Sequence, residues 1–96
     1  MSPDHLRLIF FTTKRSGPAR RMESLLAHIE RRERERLSVT KVDVDERPEV
    51  AERFGVVDVP ALALVVDKRV VARLDGRATA PRIEALIAEH FDVAAV

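Results

Sequence analysis

An unbroken apolar run, LRLIFFT at Leu6–Thr12, leads through a Gly-Pro pair at Gly17 and Pro18 into Met22, Leu25, Leu26 and Ile29, which recur at helical spacing. The alternating VTKVDV of Val39–Val44 follows. The first run predicts a buried strand, the second a helix with one apolar face, the third a strand with one face toward the core. Two strands joined through a helix in one sheet must lie parallel, with a right-handed crossover. This unit restricts the fold more than any other feature of the chain, because it places a helix over one sheet face before the halfway point.

The second half completes the sheet. Pro48 and Gly55 punctuate a short helix in ERPEVAERFG, since Pro suits a first turn and Gly a helix end. ALALVV at Ala61–Val66 predicts a third strand and Arg69–Leu74 a fourth. Only Asp67 and Lys68 separate them, so they must form an antiparallel hairpin. After Gly76, a helix is predicted over Pro81–Phe91, with Ile83, Leu86, Ile87 and His90 toward the core. The expected order is β-α-β-α-β-β-α: one α/β domain over residues 1–96, with a central mixed four-stranded sheet and three helices on its two faces.

Composition narrows the chemistry. The 96 residues are 46% apolar and 34% charged with a formal net charge of +1, so neither disorder nor a general affinity for polyanions is indicated. Charge is instead local: residues 14–36 carry eight Lys/Arg against four Asp/Glu, and residues 37–96 eight against eleven. Arg-rich composition has an ordinary source in GC-rich coding, which also favours Ala and Val. No cysteine occurs, so the chain can build no disulfide, thiolate nucleophile or cysteine metal site. No apolar run reaches membrane-spanning length and no leader pattern opens the sequence, which points to the cytoplasm.

The order of elements and five landmarks resemble the thioredoxin family from about Leu6 to Phe91. FFTTKRSGPARRM is similar to that family's strand, Trp-Cys-Gly-Pro-Cys and long helix, and KVDVDERP to its second strand with the following acid and Pro. VAERFGVVDVPALALVV is similar to its short helix, Val/Ile-Pro-Thr and apolar strand, and Gly76 matches the Gly before the last helix. The resemblance implies a thioredoxin-like fold, a cis bond at Val59–Pro60, and a groove that pairs with an extended peptide. It does not carry the family's chemistry. Ser16 and Ala19 stand at the two cysteine positions, Arg15 at the Trp, and Phe10 at the buried acid. Arg15, Ser16, Gly17, Pro18 and Ala19 thus form a degenerate motif, with its scaffold kept and its reactive atoms absent.

Three readings of the remaining residues compete. A peptide or partner protein fits a groove bordered by Thr13, Lys14 and Arg15, by Asp58, Val59 and Pro60, and by Asp75, Gly76 and Arg77. An anion such as a phosphate fits Lys14, Arg15, Arg20 and Arg21, which crowd a helix start whose dipole is already positive. A structural subunit that forms a homodimer is the third. Ser16 is expected to cap the helix rather than act as a nucleophile, because His28 lies about 18 Å along it at ~1.5 Å per residue and His5 precedes the first strand. No catalytic residue and no cofactor are expected. A metal is disfavoured because the three histidines are widely spaced, and Asp43 and Asp45, expected on one side of the second strand, lack a third ligand. Nucleic acid is disfavoured because Tyr and Trp are absent. The charged run Glu30–Arg36 is expected to continue the first helix, with Glu30 pairing Arg34 four residues on.

Overall fold

The side chains of β1 sort the core into two layers. β1 is Leu6–Thr12, and Leu6, Leu8 and Phe10 point to one face of the sheet while Ile9 and Phe11 point to the other. The computed structural model of the protein describes residues 6–95, with side chains through His90. Along it run α1 (Gly17–Arg32), β2 (Leu37–Asp43), α2 (Pro48–Arg53), β3 (Ala61–Val66), β4 (Arg69–Asp75) and α3 (Ala80–Ala95). The sheet order is β2-β1-β3-β4, with β1 parallel to β2 and antiparallel to β3, and β3 antiparallel to β4.

Register explains why the layers differ in size. β1 and β3 pair Leu8 with Leu64 and Phe10 with Leu62, so large side chains meet beneath Met22, Leu26 and Ile29 of α1 and Ile83 and Ile87 of α3. On the opposite face Ile9 pairs with Ala63 and Phe11 with Ala61, which leaves room for the six-residue α2. Ala51 and Phe54 close that side, the Phe54 ring tilted 55° to Phe11 at a centroid distance of 5.4 Å. Phe10 is 1% exposed within the larger apolar cluster; burying such a ring stabilises the fold by about 1.5–3 kcal/mol. The β3–β4 turn carries positive φ at both Asp67 (51°) and Lys68 (67°), the backbone that a two-residue hairpin requires.

Several expected boundaries move. α1 ends at Arg32 with Glu33 as its cap residue, so the charged run through Arg36 is not all helix. Residues 33–36 form a turn held by Glu33 O, which accepts from the N–H of both Arg36 and Leu37 at 2.8 Å. The cause lies downstream: buried Leu37 must enter the sheet opposite Leu6. Arg34 therefore sits past the helix, and the expected Glu30–Arg34 pair is replaced. Glu30 Oε2 instead accepts from the Val39 N–H at 2.8 Å, tying α1 to β2. β2 starts two residues earlier than expected and ends at Asp43, β4 gains Asp75, and α3 runs further in both directions.

Candidate functional site

Antiparallel pairing gathers three loops at one end of the sheet. β1 runs out beside the start of β3, where Phe11 pairs with Ala61, and β4 runs out beside the same residue, where Asp75 pairs with Ala61. The segment after β1 (residues 13–16), the segment before β3 (residues 54–60) and the turn after β4 (residues 76–79) therefore converge. β2 is parallel to β1 and delivers its own following turn, residues 44–47, to the same end. This is the edge where open α/β sheets take their ligands.

Ser16 builds the start of α1. Its extended backbone (φ −101°, ψ 118°) lets Oγ accept from the Ala19 N–H at 3.1 Å, while its carbonyl accepts from Arg20 N at 3.3 Å. Pro18 occupies the first turn, where no N–H is required, and Ala19 is fully buried. The hydroxyl is thus engaged as a helix cap, as its sequence context implies. Among the histidines with described side chains, His28 lies exposed far along α1 and His90 Nδ1 donates to Leu86 O at 2.9 Å within α3. His5 lies outside the described residues. Among the described residues no imidazole stands beside Ser16.

Asp43 and Asp45 do not share a strand face. Asp43 Oδ1 accepts from the N–H groups of Asp45 and Glu46 at 2.8 and 3.4 Å, which closes a turn and ends β2. Asp45 rides on that turn and faces the α1 entrance instead. Its Oδ2 accepts from Thr13 Oγ1 at 2.6 Å and its Oδ1 from Arg15 Nη2 at 3.2 Å. The Thr13 hydrogen bond, opposed by partial desolvation and reinforced by Arg15 and Lys14, holds the Asp45 carboxyl below its ordinary range. Among the described residues there is no cluster of three or more His, Cys, Asp or Glu side chains that would hold a metal ion.

The basic residues at the α1 start separate into pairs. Lys14 Nζ lies 3.4 Å from Glu46 Oε1, Arg15 is held by Asp45, and Arg20 Nη2 donates to the carbonyl of Lys14 at 3.1 Å. Arg21 lies on another cleft, with Pro18, Met22, Leu25, Arg77, Ala78 and Thr79. The four cations expected to share one anion are thus divided between two surfaces, and two of them already face carboxylates. The segments expected to border a groove lie at this same end of the sheet: Pro60 is buried behind a cis Val59–Pro60 bond, Val59 is half-buried, and Asp58, Asp75 and Arg77 are exposed. Gly76 turns the chain at φ +81°.

Arg73 was not singled out by its sequence context, yet it fixes one wall of the site. Its Nη1 donates to Phe54 O at 2.8 Å and its Nη2 to Gly55 O at 3.3 Å and Asp75 Oδ1 at 3.3 Å. One guanidinium thereby joins the end of α2 to β4 and steadies the loop that leads to Pro60. An Arg two residues before the strand-ending Asp75 is the available signal, and it is a weak one.

Comparison with known proteins agrees with this architecture. The thioredoxin family model matches residues 1–89. The thioredoxin of Alicyclobacillus acidocaldarius is 32% identical over 82 residues, covering 85% of this chain and 78% of that protein. The thioredoxin of Mycobacterium tuberculosis H37Rv is 36% identical over 86 residues, covering 90% and 72%. Among solved structures, a point-mutant thioredoxin from Halobacterium salinarum superposes with a TM-score of 0.84 at 28% identity, over 94% of this chain and 78% of that one. The chain belongs to the thioredoxin family, and carries Ser16 and Ala19 where the family's motif has its two cysteines.

Proposed function

We propose that this protein is a redox-inactive thioredoxin-family domain that binds an extended peptide segment of a partner protein. The segment lies in the groove between Thr13–Gly17, Asp58–Pro60 and Asp75–Arg77. Its backbone would pair with the loop at Val59 as an added strand does, with side chains supplying selectivity. Cysteine chemistry is unavailable to the chain, and the Ser16 hydroxyl caps α1, with no imidazole beside it among the described residues. The domain works as a binding module over residues 1–96, in the cytoplasm.

The observation that carries this reading is the Arg15–Asp45 ion pair. Arg15 stands at the family's Trp position beside the groove. Asp45 follows β2, on the side of β1 away from β3 and Pro60. Pairing with Asp45 draws the long side chain off the groove. Val57, 89% exposed on the loop before Pro60, adds an apolar surface that a peptide could cover.

The test is selection of peptides from a random dodecapeptide display library, followed by amide NMR titration of wild type and folded Val59→Asp. Selected peptides should perturb amides of residues 13–17, 58–61 and 75–77, and bind Val59→Asp at least about tenfold more weakly, a loss of ~1.4 kcal/mol. Equal binding to both proteins overturns the groove. In parallel, the protein should not accelerate dithiothreitol-driven insulin reduction; acceleration would contradict the redox-inactive reading.

A further inference from the structure

Next to the groove, α1 and the turn entering α3 enclose a second cleft of about 510 Å³. Its lining comes from Pro18, Met22 and Leu25 on one side and Ala78 and Thr79 on the other, with Arg21 and Arg77 at the two walls. Met22 is buried and Pro18, Leu25 and Ala78 are half-buried, so the floor is apolar and partly exposed. No lining residue is acidic. Arg21 and Arg77 are exposed, and neither has a hydrogen-bond or ion-pair partner among the described residues.

That contrasts with the cations a few residues away. Lys14 and Arg15 each face a carboxylate of the turn after β2, and Arg20 spends its guanidinium on a backbone carbonyl. Two guanidinium groups left open across an apolar floor match one kind of occupant. It must bring an aliphatic side chain for Met22 and Leu25 and carboxylates for the arginines, whose planar forks suit carboxylate oxygens. A simple phosphate would leave the floor wet, and a purely apolar segment would leave both charges unmatched.

We propose that this cleft selects the partner by an acidic-aliphatic motif, a peptide in which Leu or a similar side chain is flanked by Glu or Asp. The motif seats its aliphatic side chain over Met22 and Leu25 and its carboxylates on Arg21 and Arg77. The inference rests on the peptide-binding reading above, because Arg77 borders both the groove and the cleft, so one bound segment runs continuously from Val59 past Gly76 into it.

The probe is an acetylated, amidated octapeptide, Gly-Ser-Leu-Glu-Leu-Asp-Gly-Ser, with its counterpart in which Glu and Asp become Gln and Asn. Amide NMR titration should move residues 18–25 and 77–79. Two exposed ion pairs should make the acidic peptide bind about five- to tenfold tighter than the amide version at low salt, and the difference should shrink at high salt. The double variant Arg21→Glu with Arg77→Glu should lose that preference and gain one for Leu-Lys-Leu-Lys. Equal binding of acidic and amide peptides, shifts confined to other residues, or an equal response to inorganic tripolyphosphate would overturn the motif. Display-selected peptides that need Val59 but ignore Arg21 and Arg77 would also overturn it, while leaving the groove intact. Acidic peptides that need both arginines but ignore Val59→Asp would uphold the cleft and remove the groove.

Discussion

Thr13 Oγ1 donates to Asp45 Oδ2 at 2.6 Å, joining the loop after β1 to the turn after β2 across 32 residues of sequence. The same carboxylate holds Arg15 on its other oxygen. One exposed aspartate thus ties down the loop after β1 and sets the direction of the Arg15 side chain. A carboxylate held by donors in the folded state should titrate below its ordinary value of 3.8. Carboxyl-detected NMR should find Asp45 below that value, with Thr13→Val and Arg15→Ala each raising it. Because the folded pKa is depressed, the contribution is complete above the unfolded value and is lost as pH falls through the folded one. An Asp45 that titrates at or above 3.8 would contradict the arrangement.

Removing the Ser16 hydroxyl leaves the Ala19 N–H without its partner at the start of a 16-residue helix. Ser16→Ala should therefore lower stability by about 1 kcal/mol, seen as a fall in Tm of roughly 4–8 °C for a domain of this size. Ser16→Asp should keep the cap and match the helix dipole, since the first turn of α1 contains no acid. A Ser16→Ala protein that melts like wild type would remove the capping role.

Arg73 should act through the shape of its fork rather than its charge. Its two nitrogens reach the carbonyls of Phe54 and Gly55, which Arg73→Lys cannot span together. Both Arg73→Ala and Arg73→Lys should speed amide exchange in residues 54–59. The stability loss should be about 1 kcal/mol, at the low end for bonds to a charged group because water reaches these carbonyls. Full protection in Arg73→Lys would show that charge alone suffices.

The sheet was readable from local pattern because each strand writes its burial into few residues. β1 and β3 match their expected bounds, and the two-residue turn at Asp67 and Lys68 forced the hairpin. The end of α1 was not readable. Glu30–Arg36 contains neither Gly nor Pro, and the helix stops because Leu37 must pair with Leu6, a constraint from 31 residues away. The site was half readable for the same reason. Ser16, Pro18 and Pro60 announce themselves by residue type. The partners that orient it, Thr13 with Asp45 and Arg73 with Phe54, meet only once the sheet has formed. The apolar cleft between Arg21 and Arg77 likewise joins residues 56 positions apart, so no window of sequence contains it.

Two glycines of the proposed groove separate what the fold needs from what a ligand would need. Gly76 has φ +81°, so Gly76→Ala should cost about 1 kcal/mol from backbone strain even though its Cβ would meet open space. Gly17 has no such conformation, and a Cβ there would touch nothing within 4 Å. Gly17→Ala should therefore leave stability unchanged or raise it by a few tenths of a kcal/mol, because Ala is the better helix former. Folding then gives no reason for Gly at this position. If a bound peptide backbone passes close to the start of α1, an added methyl group meets the peptide rather than the protein. Gly17→Ala should thus weaken selected peptides about tenfold while chemical denaturation shows no loss, separating a contact with ligand from a defect in folding. Undiminished binding by Gly17→Ala would mean that the peptide keeps clear of the helix start and runs along the Pro60 side alone.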